Sequence, residues 1–302
     1  MLIECAILVL VMALCFRYYS RTVDNFNEAA AIKGKRVVVT GASSGIGEQI
    51  AYHYARRGAR LLITSRTEAN LERVVSLCKQ LGAQDVSYIP LDMGNPIHTK
   101  NLIDEAKLRL GGLDHLILNH IMHTPMELWN VPEMEKNLAQ SIEVNFNSYV
   151  RLATYSTAML AESQGSIAVV SSVLGLISMP FSGTYCAAKF AVHGFFDSLR
   201  LEFELQRLNV SVGIFVLGQI NTSAAKDVAN RLMDVDNLYL TSAEDAAYRI
   251  MTGTTNRERR VYYPLSAHFY RGWRDVLPGV VDRLVMRMYN EDELAEVMKK
   301  SS

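Results

Sequence analysis

The 302-residue sequence predicts an α/β fold: a doubly wound, parallel, seven-stranded sheet in a single domain, preceded by an N-terminal membrane anchor or signal segment. Three observations lead there. Short apolar runs alternate with stretches of helical periodicity from Lys35 to Tyr263, and strand–helix–strand repeats imply right-handed crossovers and parallel pairing. A glycine-rich turn joins the first run to the first helix. Thr40, Asp92, Asn119, Ser172 and Gly218 fall at the carboxyl ends of the runs, where a sheet of this kind binds its ligand.

In chain order, strands are expected at Arg36–Thr40, Arg60–Thr64, Val86–Leu91, Leu113–Leu118, Ile167–Val170, Val210–Leu217 and Arg260–Tyr263. Helices are expected at Ile46–Arg57, Glu68–Leu81, Thr99–Leu110, one long helix at Pro132–Ala161, Thr184–Leu205 and Ala243–Met251. The α/β domain is bounded at about residues 34–264, after an apolar segment over residues 1–20 and before an amphipathic helical segment over residues 265–302.

The first turn reads Thr40-Gly41-Ala42-Ser43-Ser44-Gly45-Ile46-Gly47 and lies between a strand and a helix, the context a dinucleotide loop requires. Its glycines let the backbone approach a pyrophosphate, which rests on the amides and positive end of the helix. This makes the fold a Rossmann domain. NAD-binding sheets tend to carry an acid after the second strand to hold the ribose hydroxyls. Here Ser65-Arg66-Thr67 stands there instead, so Arg66 can meet a 2′-phosphate, with Ser43 and Ser44 as further donors, and NADP(H) is the expected cofactor. Asp92 and Met93 are placed beside the adenine, and Asn119, His120 and Ile121 along the cofactor's far side, His120 as a positional residue.

The chemistry is expected in the stretch Ser171–Phe196. Tyr185 and Lys189 are four residues apart and share a helix face, so the ammonium lies near the phenol. A nearby cation favours phenolate and should lower the tyrosine from its ordinary pKa of about 10 towards the range of a general acid or base. Ser172 ends the preceding strand, and Asn145 stands upstream in Val144-Asn145-Phe146.

With Asn145, Ser172, Tyr185 and Lys189 in order behind the glycine turn, the chain resembles the short-chain dehydrogenase/reductases. Motifs such as Leu116-Ile117-Leu118-Asn119-His120-Ile121, Gly111-Gly112-Leu113-Asp114 and Gly194-Phe195-Phe196 place the resemblance with the 11β-hydroxysteroid dehydrogenase type 1 and type 1-like branch. The resemblance implies that Ser172 and Tyr185 bind a carbonyl oxygen and that Tyr185 transfers the proton. It further implies that Lys189 holds the nicotinamide ribose and that Asn145 anchors a water-linked proton path. Gly218, Gln219, Ile220 and Thr222 resemble the segment that holds the nicotinamide carboxamide, although Leu217 stands where the family usually has proline. The implied activity is interconversion of 11-oxo and 11-hydroxy glucocorticoids by a homodimer anchored in the endoplasmic reticulum membrane. Ser44, where type 1 enzymes carry a basic residue, departs from the pattern. Leu128, Met179, Phe181, Leu232 and Met233 suggest a bulky lipophilic substrate, and a retinoid or another xenobiotic carbonyl would leave every motif intact. A non-enzymatic binding protein on the same scaffold would be expected to have lost Tyr185 or Lys189.

The zero formal net charge gives no support to nucleic-acid binding, and Cys5, Cys15, Cys78 and Cys186 are not at metal-ligand spacing. Cys186 is expected to be a buried inert thiol. Met1–Phe16 is apolar except for Glu4 and is followed by Arg17 and tyrosines, so an uncleaved signal anchor is expected. Its alternative is a cleaved signal peptide and secretion. The sequons at Asn209 and Asn221 are glycosylation acceptors if the domain faces the lumen. Tyr270–Met288 mixes apolar residues with Arg271, Arg274, Arg283 and Arg287, a pattern suited to a membrane surface, a substrate-pocket cover, a core cap or a dimer contact. Glu291–Lys300 reads as a short polar helix.

Overall fold

A computed structural model describes residues 31–222, 240–287 and 289. The N-terminal apolar segment, the Glu291–Lys300 helix, and Leu232 and Met233 lie outside the described residues. Among those described, no helix is long and apolar enough to cross a membrane.

Seven strands form one sheet: β1 Arg36–Thr40, β2 Arg60–Ser65, β3 Asp85–Pro90, β4 His115–Leu118, β5 Ser166–Ser172, β6 Ser211–Leu217 and β7 Arg260–Tyr263. Their spatial order is β3-β2-β1-β4-β5-β6-β7 and every neighbouring pair is parallel. The order reverses between β1 and β4, which opens a crevice at their carboxyl ends. A two-residue bridge, Ile220–Asn221 with Thr241–Ser242, lies apart from this sheet.

The helices are α1 Gly45–Ala55, α2 Glu68–Leu81, α3 Pro96–Leu110, α4 Met134–Ile142, α5 Ser148–Ser163, α6 Gly183–Leu205, α7 Ala243–Thr255, α8 Ala267–Val276 and α9 Pro278–Met286. Local chemistry sets several of their ends. Asn95 caps α3 by accepting the Ile97 N–H at 3.1 Å, with Pro96 at the first helical position, where its missing donor costs nothing. Gly82 and Gly111 end α2 and α3 in left-handed geometry.

Alternate residues of β1 face opposite layers: Val37 and Val39 pack with Ile50, Leu61, Leu71 and Phe215, whereas Val38 packs with Leu62, Leu102, Leu116 and Leu152. Burial on both sides explains the consecutive apolar residues at the centres of β1 and β2. Each such side chain contributes roughly 1.5–3 kcal/mol. A third, smaller cluster holds Ile177, Phe181, Val281, Val285 and Tyr289, with Met126, Leu128, Leu174 and Met179 packed against it.

Two expectations are corrected. β4 begins at His115 rather than Leu113, because Asp114 just before it accepts the Arg36 N–H and Nε, each at 2.8 Å. The long helix expected at Pro132–Ala161 is interrupted by a π-helical segment, Glu143–Asn147, between α4 and α5. The extra residue in that turn carries Asn145, whose Oδ1 accepts the Met122 N–H at 2.7 Å and whose Nδ2 donates to the Met122 carbonyl at 3.1 Å.

Candidate active site

A cavity of about 360 Å³ occupies the crevice. Gly41, Ser43, Ser44, Gly45 and Ile46 line it from the first turn, Arg66 and Thr67 from beyond β2, and Asp92 and Met93 from beyond β3. Asn119, His120 and Ile121 complete it from β4, with Thr222 from beyond β6. Two glycines make the turn possible. Gly41 has φ +65° and its missing Cβ would lie 2.7 Å from the His120 Cα; a Cβ on Gly47 would lie 2.1 Å from the Gly41 carbonyl oxygen. Gly47 therefore shapes the turn from behind instead of lining the cavity.

Beneath the turn, the Thr40 hydroxyl donates to the Ile117 carbonyl at 3.0 Å and accepts the Asn119 N–H at 2.9 Å, while Asn119 Nδ2 donates to the Thr40 and Gly41 carbonyls, each at 3.2 Å. His120 Nδ1 lies 2.9 Å from Thr40 Oγ1 and Nε2 lies 2.7 Å from Ser148 Oγ. Burial, with the Lys189 charge adding to it, pulls the His120 imidazole down to about 3, which keeps it neutral. Arg66 is exposed at the rim, and among the described residues its guanidinium has no hydrogen-bond or ion-pair partner. The arrangement fits a dinucleotide phosphate: glycines that permit close approach, hydroxyls along the turn and an uncompensated cation at the rim.

Gly218, Gln219 and Ile220 do not line this cavity. Ile220 is packed in the core, the Gln219 carbonyl accepts the Thr241 N–H at 3.1 Å, and the Gly218 N–H is taken by the Tyr263 carbonyl at 2.8 Å. Of that segment, Thr222 reaches the cavity, with its Cγ2 3.3 Å from where a Gly45 Cβ would stand.

The cavity's inner end is bordered by Met122 and Val144, and Asn145 is bonded directly to Met122. Asn145 is fully buried, and its Nδ2 also donates to Ser141 Oγ at 3.2 Å. Ser172, Tyr185 and Lys189 come together where β5 ends and α6 begins. Ser172 lies beside the Tyr185 phenol, and its own hydroxyl oxygen accepts the Leu174 N–H at 3.1 Å. Lys189 is 1% exposed, its Nζ donates to the Val170 carbonyl at 3.0 Å, and it lies 5.2 Å from the Tyr149 ring centroid and 5.8 Å from that of Tyr185.

The electrostatics correct one expectation. Spacing alone has Lys189 lowering the Tyr185 phenol; instead burial raises the phenol above its ordinary value, with nearby Ser172 opposing the rise. Burial also pulls the Lys189 ammonium down to about 7, so near neutral pH its charge is only partly present. Cys186 is a buried thiol whose pKa is raised by burial, as expected of an inert one.

Sequence reasoning passed over two contacts. His193, eight residues beyond Tyr185 on the same helix, has Nε2 2.8 Å from Ser171 Oγ. Helical spacing alone could have flagged it. Arg73 on α2 pairs with Glu48 and donates to the Ser43 carbonyl at 3.3 Å, a link between elements that no local pattern announces.

A doubly wound sheet, a glycine turn at its switch point and a Ser–Tyr–Lys set where β5 meets α6 define a dinucleotide-dependent oxidoreductase. The chain belongs to the short chain dehydrogenase family, whose model matches residues 35–232. It is 41% identical over 265 residues to the hydroxysteroid 11-beta-dehydrogenase 1-like protein of Danio rerio, covering 88% of this chain and 90% of the relative. To the 1-like protein B of Xenopus laevis it is 39% identical over 293 residues, covering 94% and 97%. Among solved structures, a short chain dehydrogenase/reductase of Burkholderia phymatum in complex with NAD superposes with a TM-score of 0.73 at 21% identity, covering 82% of this chain and 95% of that one. An alcohol dehydrogenase of Thermococcus sibiricus complexed with 5-hydroxy-NADP gives 0.66 at 22% identity, covering 76% and 95%. At those identities the structural likeness is one of fold.

Proposed function

We propose that this oxidoreductase uses NADP(H) to interconvert a hydroxyl and a ketone on a steroid, an 11β-hydroxy/11-oxo glucocorticoid. The observation that carries it is the half-buried Ser172 and Tyr185, flanked by buried Lys189, in a fold whose switch-point cavity has Arg66 at its rim. The names of the relatives support the steroid, and the apolar cluster of Met126, Leu128, Met179 and Phe181 suits a rigid lipophilic substrate.

NADP(H), when bound, supplies or accepts the hydride. The turn at Gly41–Gly47, Arg66, Thr67, Asp92, Met93, Asn119 and Ile121 would hold it, with Thr222 beside the turn. Ser172 and Tyr185 hold the substrate oxygen, and Tyr185 donates or accepts the proton at its phenol oxygen. Lys189 stands behind the phenol and would reach the nicotinamide ribose. Asn145, fixed by Met122 and Ser141, would anchor a water-linked path behind Lys189.

Membrane anchoring through residues 1–20, a lumenal domain in the endoplasmic reticulum and a homodimer belong to the same proposal. Its support there is the apolar N-terminus and the exposed sequon residue Asn209, whose Oδ1 is held by Arg257 at 2.7 Å. The deciding experiment is turnover by purified protein of cortisone with NADPH and of cortisol with NADP, beside retinal and simple xenobiotic ketones. Reduction of the latter two without steroid turnover would replace the steroid by another lipophilic carbonyl.

A further inference from the structure

Two consecutive residues near the end of β5 are bonded to one face of α6, and the next, Ser172, lies beside it. The Val170 carbonyl accepts from Lys189 Nζ at 3.0 Å, the Ser171 hydroxyl meets His193 Nε2 at 2.8 Å, and Ser172 stands near enough to the Tyr185 phenol to hold its pKa down. Tyr185, Lys189 and His193 are spaced by four and so stand on successive turns of one face. His193 is 7% exposed. The turn after Ser172 presses on it so closely that a Cβ on Gly175 would lie 2.8 Å from Nε2 and 2.9 Å from the Lys189 carbonyl oxygen. One turn further, Asp197 is paired with Arg260 of β7.

We propose that His193 is a positioning residue for the reaction: through Ser171 it fixes the tilt of α6 against β5, and so the relation of Ser172 to Tyr185. The inference rests on the reading of Ser172 and Tyr185 as the catalytic pair. Lys189 alone would act as a pivot. Its turn lies about 6 Å along the helix from each of the other two, at 1.5 Å per residue. A tilt of roughly 5° about it would then move Tyr185 by about half an ångström, and a misplacement of about 1 Å can cost a hundredfold in rate.

The test is a set of full-length variants, Ser171→Ala, His193→Gln, His193→Phe and the double variant Ser171→Ala/His193→Phe, assayed with cortisone and NADPH and with cortisol and NADP. For His193→Phe, kcat should fall about ten- to a hundredfold while the KM for cofactor stays within about threefold. The rising limb of the oxidation pH profile should move to higher pH, because a loosened Ser172 no longer favours the phenolate. The double variant should be no worse than the worse single one, and His193→Gln, which keeps a hydrogen-bonding group, should recover part of the rate. A lost folded fraction would scale kcat without moving the profile. Unchanged kcat in the milder Ser171→Ala and His193→Gln variants, or loss with an unmoved profile, overturns the proposal. Ser172→Ala and Tyr185→Phe run alongside: full activity in both would overturn the catalytic pair itself, whereas their inactivity beside a fully active His193→Phe would overturn only the role of His193.

Discussion

Arg73 and Glu48 form a two-point ion pair between α2 and α1, Nη1 to Oε1 at 2.7 Å and Nη2 to Oε2 at 2.8 Å. Burial alone would raise the Glu48 carboxyl, but the hydrogen bonds from Arg73 and Tyr52 outweigh it and leave it below the usual range. Arg73 therefore brings little free charge to the turn it braces. Among the described residues, Arg66 is the one Lys or Arg that lines the cavity.

Arg66→Asp should lose the preference for NADP(H). A charge-assisted hydrogen bond contributes roughly 1.5–3 kcal/mol, or about ten- to a hundredfold in affinity. The new carboxylate would also repel a 2′-phosphate while offering the 2′-hydroxyl of NAD an acceptor. Comparing kcat/KM for both cofactors, in wild type and variant at fixed ionic strength, checks this; an unchanged ratio returns Arg66 to the solvated surface.

Tyr185→Phe should reduce turnover by at least about a hundredfold, the usual share of a positioned acid or base, while cofactor affinity stays near wild type. Fluorescence titration with NADPH beside single-turnover kinetics separates the two. Steroid oxidation by folded Tyr185→Phe at the wild-type rate would remove the phenol from the mechanism.

Lys189 makes a prediction about stability. Its folded pKa of about 7 lies below the ordinary lysine value of about 10.4, so between them the unfolded chain binds more protons and stability rises with pH. Below pH 7 the burial cost is present in full, on the order of a few kcal/mol. Lys189→Met should thus unfold at a higher temperature than wild type in cofactor-free protein at pH 6, with the gain shrinking by pH 9, although it is inactive. Equal melting curves at both pH values would show that the ammonium is not buried in this way.

Gly47→Ala would force a methyl group to within 2.1 Å of the Gly41 carbonyl oxygen and 2.5 Å of Asn119 Nδ2. Overpacking of this kind costs roughly 1–3 kcal/mol. The expected outcome is a lower melting temperature together with weaker cofactor binding. Gly183→Ala is the control, since nothing lies within 4 Å of its Cβ position.

Seven strands and the residues of the cofactor cavity were legible because both depend on local pattern: apolar runs, a glycine turn, and positions just past strand ends. The π-helical segment was not. Its residues read as continuous helix, and the benefit of the extra residue, the bonding of Asn145 to Met122, comes from a segment 23 positions away in the chain. The sign of the Tyr185 shift was missed for a related reason. Spacing reports that an ammonium is near, but not that Lys189 is buried and Tyr185 half-buried, and desolvation decides which charge survives.

The small cluster around Ile177 and Val281 has a consequence for motion. Arg274 of α8 donates to the Leu176 carbonyl and lies 5.1 Å from the Phe190 ring centroid, and Val281 and Val285 of α9 are buried against Ile177 and Phe181. This flank of the site thus has its own minor core, separate from the two that grip the sheet, and its opening free energy should fall below that of global unfolding. Native-state hydrogen exchange should show the amides of residues 267–286 exchanging well before those of β6. Local breathing of α8 and α9 would then open this flank while the glycine turn and β5 stay shut.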